Sequence, residues 1–295
     1  MTIATLSSLL VRTSLFALVA SLGMASSWRD VVWLFRSPAL LVRALLSMQV
    51  LTPLFAVAMA ATLPLHPGVK VALVLLSLSP VPPALPGKEL KVGGNRPFAV
   101  SLLVVSALFS IAVIPASLSF LTDITSYTLG IAPMAVARLV AESVFIPLAV
   151  GMIIAAINGE LGLRISPVIS KVAMGLLVLG ILPPLIVTLP AMGMLLGDGT
   201  LVVCAALCVA ALLFGHLLGG PNRGDRTVLA LSTAMRHPAM AIALAKANFS
   251  DEPLVVPAIL LYLLVAVVVR VPYLKLSVRR QAEWVPGGRA PVARR

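Results

Sequence analysis

Long apolar stretches run along almost the whole chain, separated by short groups of charged residues, glycine and proline. A helix that crosses the hydrocarbon core of a membrane needs about 20 mostly apolar residues. The pattern predicts about nine such spans, near residues 4–25, 38–61, 68–92, 96–121, 131–156, 167–191, 199–219, 226–248 and 253–275. Only short loops join them, so the sequence predicts an all-α polytopic membrane protein.

The composition supports this fold class and excludes others. The chain has 295 residues, of which 60% are hydrophobic and 11% are charged, whereas about a quarter of a soluble domain is charged. A soluble enzyme, a disordered protein and a disulfide scaffold are therefore excluded. The sequence contains no nucleophile–base set, phosphate loop or cluster of metal ligands, so we expect no enzyme activity, no cofactor and no metal site.

The net charge of +12 is distributed as in membrane proteins rather than in nucleic-acid-binding proteins, so membrane lipids are the expected partners and nucleic acid is not. Basic residues concentrate in alternate loops, for example Arg29 and Arg36 in the first and Arg223 and Arg226 in the seventh. The positive-inside rule then predicts an external N-terminus and a cytoplasmic C-terminus, in the plasma (cell inner) membrane. We expect a single transmembrane domain over residues 1–275 and a disordered basic cytoplasmic tail over residues 276–295.

The third predicted span is interrupted close to its middle. Four prolines and a glycine fall within eight residues, and each proline removes a backbone donor and clashes with the preceding turn. Unwound backbone at this depth is tolerated only against protein or a watery cavity. The residues predicted to break the helix are Pro80, Pro82, Pro83, Pro86 and Gly87.

The eighth predicted span contains a second break, at Pro238. Proline disfavours helix at the preceding residue, His237, and Arg236 lies just before it. Five spans separate the two breaks, so the two helices run in opposite directions. Paired broken helices in corresponding halves indicate a transporter with inverted repeats, and we expect the two breaks to cross near the midplane.

The residues around the expected crossing are candidates for substrate binding. A charge at the bilayer centre costs at least about 2.5–3.5 kcal/mol, so Arg236 needs a compensating role. We interpret it as a cation that faces an anion; the alternative is a structural arginine paired with backbone carbonyls or with Glu89. His237 is either a proton relay or a neutral histidine at a helix break. The candidates here are Arg236, His237, Ser232, Thr233, Lys88 and Glu89.

Over roughly residues 14–275 the chain resembles the bile acid:sodium symporter family, with the arsenite permeases as more distant relatives. The similar segments are Leu22-Gly23-Met24 with Arg36-Ser37-Pro38, Gln49 with Thr52-Pro53, Ser79-Pro80 with Gly94-Asn95, Gly215-His216-Leu217-Leu218-Gly219, and Ala241 to Phe249. The resemblance implies a core domain with two crossed broken helices and a flatter panel domain. By this resemblance the core covers about 38–121 and 199–275, and the panel about 4–25 and 131–191.

The chain departs from the family where sodium is bound. Members that couple to sodium have Ser-Asn after the first break, hydroxyls in the following helix and a Glu…Gln pair at the second break. The corresponding positions here are Leu85-Pro86, Ala99 with Leu103, and Ser232 with Arg236, and Gln49 lies only near its expected place. The resemblance therefore implies a relative that has lost its sodium sites.

The leading hypothesis is a secondary transporter of a small organic anion that works by alternating access and is independent of sodium. Transport would be proton-coupled through His237 or Glu89, or facilitated. Two alternatives remain: a sodium-coupled organic anion symporter that uses backbone carbonyls and Gln49, and a non-transporting membrane sensor or scaffold with the same fold.

Overall fold

The computed structural model describes residues 3–124, 130–197 and 199–282, and these residues form helices, turns and loops without a strand. The predicted all-α polytopic membrane fold is confirmed. The first half contains α1 (Ile3–Met24), the short α2 (Trp28–Val31), α3 (Pro38–Leu45), α4 (Thr52–Thr62), α5 (Pro67–Leu78), α6 (Pro86–Lys91) and α7 (Arg96–Ile124). The second half contains α8 (Pro133–Val140), α9 (Ile146–Ile157), α10 (Gly159–Gly193), α11 (Thr200–Leu218), α12 (Arg223–Ala234), α13 (Pro238–Asn248) and α14 (Val255–Ala282).

Eight stretches of helix in the described part of the chain are long and apolar enough to cross a membrane, against the nine spans predicted. The difference lies in the third span, because its first helix, α5, stops after 12 residues. At its other end the chain departs from the expected tail: α14 continues to Ala282, beyond the boundary predicted at residue 276. Residues 283–295 of that predicted tail lie outside the described residues.

Two of the spans contain a widened, π-helical turn directly before a proline. One π-turn, Leu46–Leu51, joins α3 to α4, and the other, Ala141–Phe145, joins α8 to α9. Pro53 and Pro147 follow them. A proline cannot donate to the helical ladder, so the backbone before it is free to adopt a wider register.

The first span packs closely against the fifth and sixth. Gly23 of α1 lies against α9, where an added Cβ would approach the carbonyl oxygen of Leu148 to 2.4 Å. Gly151 of α9 lies against α1, where an added Cβ would be 2.0 Å from the carbonyl oxygen of Ala20. On the other side of α1, Leu18 packs with Leu177 of α10. Small residues let helix backbones approach in membranes, and here they bring together the spans assigned to the panel.

The largest buried cluster extends through most of the helices, and it includes residues of α1, α8 and α9 as well as of α5, α7, α11, α12, α13 and α14. Gly215 of α11 sets the spacing to α12, because an added Cβ would be 2.5 Å from the Cα of Ala230. Both α11 and α12 belong to the part of the chain assigned to the core. The division into core and panel stays a prediction, but this cluster surrounds the two interrupted helices.

Candidate functional site

The first interrupted helix ends at Leu78 and does not resume until Pro86. Ser79 is extended, with φ −71° and ψ 148°, and the backbone from Ser79 to Leu85 is not helical. Pro86 and Gly87 were expected within the break, but they form the first turn of α6. Proline is favoured at the first helical position because the amide there has no intrahelical acceptor.

The second interrupted helix ends at Ala234 and resumes at Pro238, again with proline at the first helical position. Met235 and His237 are both extended. The backbone N–H of His237 donates to the carbonyl of Pro80 over 2.9 Å. The two breaks are thus joined directly, through their unwound backbones.

Each break leaves a carbonyl without its helical donor, because a proline stands four residues further on. Ser79 is followed by Pro83, and Ala234 by Pro238. Both carbonyls are instead bound by side chains: Nη1 of Arg236 donates to Ser79 over 3.2 Å, and the Tyr262 hydroxyl donates to Ala234 over 3.0 Å. Buried carbonyls need such partners, since leaving one unsatisfied costs about 1–3 kcal/mol.

A third free carbonyl comes from the π-turn in the second span. There Thr52 donates its N–H to the carbonyl of Ser47, five residues back. In this register the next carbonyl, that of Met48, faces Pro53, which has no N–H. Nη2 of Arg236 donates to Met48 over 2.7 Å. One guanidinium therefore ties the end of α5, the unwound segment after α12 and the π-turn together.

The partners of Arg236 distinguish the two interpretations offered for it. Arg236 is only 1% exposed, and both of its Nη groups donate to backbone carbonyls. Glu89 is not its partner, because Oε1 of Glu89 accepts from the hydroxyl of Ser232 over 2.6 Å. The observed contacts agree with the alternative that Arg236 is a structural arginine paired with backbone carbonyls. Nε has no hydrogen-bond partner within the described residues, and each Nη group uses only one of its two hydrogens in these bonds.

Two hydroxyl residues at the end of α12 link the crossing to its neighbours. Ser232 joins α12 to Glu89 of α6. Thr233 donates to the carbonyl of Leu229 over 2.7 Å, so the Ser47 hydroxyl, 3.0 Å away, is the donor in the contact between them. That contact connects α12 to the π-turn. The two hydroxyls thereby position the crossing residues and have little capacity left for a substrate.

Four of the predicted site residues have buried polar atoms without a hydrogen-bond partner in the described part of the chain. They are both amide atoms of Gln49, Oε2 of Glu89, Nε of Arg236 and both ring nitrogens of His237. Buried polar atoms normally have partners, so unpaired ones indicate a place where a ligand or water binds. The unpaired atoms include both hydrogen-bond donors and acceptors.

Lys88 is the predicted site residue that the structure does not bring to this buried set. It is exposed, whereas its neighbour Glu89 is completely buried. Successive residues of a helix point in directions about 100° apart, so α6 directs only one of the two inward. The inward residue is the carboxylate.

Arg270 and Tyr262 of α14 were not predicted as site residues. Arg270 is 5% exposed and donates through Nε to the carbonyl of Ala266. The sequence predicts that the Ala234 carbonyl lacks its helical donor, because Pro238 has no N–H. No local pattern predicts that the donor is Tyr262, which lies 28 residues away in the sequence.

Replacing Tyr262 with phenylalanine tests the role of the side-chain cap on Ala234. We expect the free energy of unfolding to fall by about 1–3 kcal/mol, because a buried carbonyl loses its donor. The measurement is thermal unfolding of the purified protein in detergent. Tyr273→Phe is the comparison: the hydroxyl of Tyr273 contacts the carbonyl of Arg226 over 3.4 Å and Nδ1 of His216 over 3.0 Å, but it is only partly buried, so we expect a smaller loss. Equal stability of Tyr262→Phe and the parent would contradict the capping role.

No group of three or more His, Cys, Asp or Glu residues that could bind a metal occurs among the residues the structure describes. Cys204 and Cys208 are both buried and unbridged.

Comparison with protein families gives a match to the sodium bile acid symporter family over residues 13–191. Comparison with curated proteins gives no match. The family match covers the first interrupted helix, the π-turn of the second span, all of α9 and most of α1 and α10. The second interrupted helix lies beyond it.

Proposed function

The chain belongs to the sodium bile acid symporter family, and from this we propose that it transports a small organic anion by alternating access without sodium. The family is one of membrane transporters, and the eight long apolar helices are those of a multi-pass membrane protein. The anion, the independence from sodium and the orientation in the plasma membrane are the parts that we propose. The observation that carries them is the position of the Arg236 guanidinium.

Arg236 supplies a fixed positive charge where two broken helices cross. Its Nη groups lie 3.2 and 2.7 Å from the carbonyl oxygens of Ser79 and Met48. Carbonyl oxygens freed by helix breaks are suitable ligands for a sodium ion. Because a guanidinium already binds these oxygens and would repel a second cation, we infer that it takes the place of a bound ion.

The expected substrate is a small organic anion. Nε of Arg236 and the ring nitrogens of His237 provide polar atoms for its acidic group, and the amide of Gln49 provides a further donor and acceptor. Lys88 is exposed, so its role would be to attract the anion toward the site and not to bind it at the crossing. Ser232 and Thr233 position the crossing through Glu89 and Ser47.

Coupling to protons would use a titratable group at the crossing. Glu89 and His237 are both buried there, and each has an atom without a protein partner in the described part of the chain. Uptake driven by an imposed pH gradient distinguishes proton coupling from facilitated transport. If one of these groups carries the proton, Glu89→Gln or His237→Gln will abolish the response to the gradient.

Sodium replacement in proteoliposomes tests the proposal. A bile acid, butyrate and methanesulfonate are first compared for thermal stabilisation of the detergent-purified protein, and the most stabilising anion is used for uptake. We expect equal initial rates in sodium and in potassium buffer, because the fixed charge of Arg236 makes a bound ion unnecessary. Protein-free liposomes give the background.

Strict dependence on sodium would overturn this proposal in favour of the symporter alternative. Its supporting observation is the carboxamide oxygen of Gln49, which has no partner among the described residues. Stabilisation by an anion without any flux would instead indicate a membrane sensor or scaffold. Neither outcome would alter the family assignment.

A further inference from the structure

A cavity of about 920 Å³ lies among α11, α12, α14 and the turn after α6, away from the crossing. Its lining includes His216, Arg223, Arg226 and Tyr273. From Arg226 to Ala234, α12 advances about 12 Å, at roughly 1.5 Å per residue. The crossing and the cavity are therefore at opposite ends of α12, and the cavity lies at the face that the charge distribution assigns to the cytoplasm.

The cavity is cationic. Arg223 and Arg226 both line it, and no Asp or Glu does so among the described residues. Asp225 lies between the two arginines in sequence, but its carboxylate is buried and accepts from Asn95 over 2.7 Å and from Asn222 over 3.0 Å. The first turn of α12 adds the positive end of the helix dipole to the two side chains.

Arg226 is oriented for a ligand by its contact with the preceding loop. Its Nε donates to the carbonyl of Gly220. Neither of its Nη groups has a hydrogen-bond partner in the part of the chain that the structure describes. An arginine fixed through Nε presents its two Nη groups as a pair, which suits the oxygens of a phosphate.

The same cavity is apolar on its membrane side. Leu213 of α11 and Leu276 of α14 line it and are 54% and 51% exposed. Both belong to spanning helices, where an exposed leucine meets acyl chains rather than water. The cavity thus combines a pair of cations with a hydrocarbon surface.

We propose that this cavity binds an anionic phospholipid of the cytoplasmic leaflet. The phosphate diester lies between Arg223 and Arg226, and the upper part of an acyl chain lies on Leu213 and Leu276. Basic pockets between transmembrane helices on the cytoplasmic side are suited to anionic headgroups. A free phosphate ester shares the headgroup chemistry, but it would leave the apolar part of the cavity without a partner.

The experiment measures binding of phosphatidylglycerol to the full-length protein in detergent, by native mass spectrometry and by thermal unfolding. Phosphatidylcholine tests the requirement for negative charge, and glycerol 3-phosphate tests the requirement for an acyl chain. We expect phosphatidylglycerol alone to bind and stabilise. We expect Arg223→Gln and Arg226→Gln each to weaken its binding about fivefold. Arg164→Gln should leave binding unchanged, because Arg164 is an exposed arginine in the loop between the fifth and sixth predicted spans, one of the alternate loops assigned to the cytoplasm.

Equal binding of phosphatidylcholine, or undiminished binding to the Arg223→Gln and Arg226→Gln variants, would overturn the site. Equal stabilisation by glycerol 3-phosphate would show that the cavity binds a phosphate ester without an acyl chain, and would overturn the proposal that a lipid occupies it. Arg226 also contacts Gly220, so if Arg226→Gln does not fold, Arg223→Gln carries the test, because that side chain is exposed. None of these measurements depends on transport, so their outcome is independent of the proposed function.

Discussion

Replacing Arg236 with glutamine should reduce anion uptake to background and lower the thermal stability of the protein. The carbonyls of Ser79 and Met48 would both lose their donor within the buried crossing. At about 1–3 kcal/mol for each unsatisfied group, the free energy of unfolding should fall by about 2–6 kcal/mol. Proteoliposome uptake and thermal unfolding are the two measurements.

Arg236→Lys separates the charge from the geometry. Lysine keeps the positive charge but has a single ammonium group instead of a planar fork. We expect it to retain more uptake than Arg236→Gln while remaining less stable than the parent. Arg138→Gln is the control, because Arg138 is an exposed arginine of another span that pairs with Glu142 on its own helix. Full uptake by Arg236→Gln would show that this guanidinium has no role in transport.

Gly215→Ala should also cause a large loss of stability and of uptake, because it moves α12, the helix that precedes the second break. An added Cβ would be 2.5 Å from both the Cα of Ala230 and the carbonyl oxygen of Leu229, which are backbone atoms of α12. Since no flexible side chain can move aside, α12 itself has to shift. We expect about 1–3 kcal/mol of destabilisation, which is typical of overpacking, and a strong loss of uptake as Ser232 and Arg236 are displaced.

Gly175→Ala is the matched control for this prediction. Gly175 lies within α10, and an added Cβ there would meet nothing within 4 Å. Alanine is favoured over glycine in a helix by about 0.5–1 kcal/mol, so the control should be as stable as the parent or slightly more stable. Unchanged stability and uptake in Gly215→Ala would show that α11 and α12 are further apart than the structure has them.

The two breaks were predictable because their cause is local. A proline removes its own N–H and disfavours helix at the preceding residue, so Pro80, Pro83 and Pro238 indicate interruptions without any tertiary information. Exact boundaries were less accessible. Pro86 and Pro238 each start a helix, and sequence alone does not distinguish a proline that ends a helix from one that begins the next.

The partners at the crossing were not predictable, because they depend on contacts between distant parts of the chain. A buried arginine is visible in the sequence, but its donors reach Met48 and Ser79, 188 and 157 residues away. Thr52-Pro53 was visible too, yet the need of Met48 for a donor arises only once the preceding turn widens. The sequence also did not show which of Lys88 and Glu89 points inward. That depends on how α6 is rotated about its axis after the break, and packing sets this rotation.

The prolines at the crossing also limit how the protein can move. To rewind either break into continuous helix, Ser79 and Ala234 would need hydrogen bonds from residues 83 and 238, and neither residue has a hydrogen to donate. A continuous helix through either break would leave a carbonyl without its helical donor, at a cost of about 3 kcal/mol, although the longer helix α10 does accommodate internal prolines. We expect the two crossed segments to keep their unwound form and to move together, because the backbone N–H of His237 and the guanidinium of Arg236 join them.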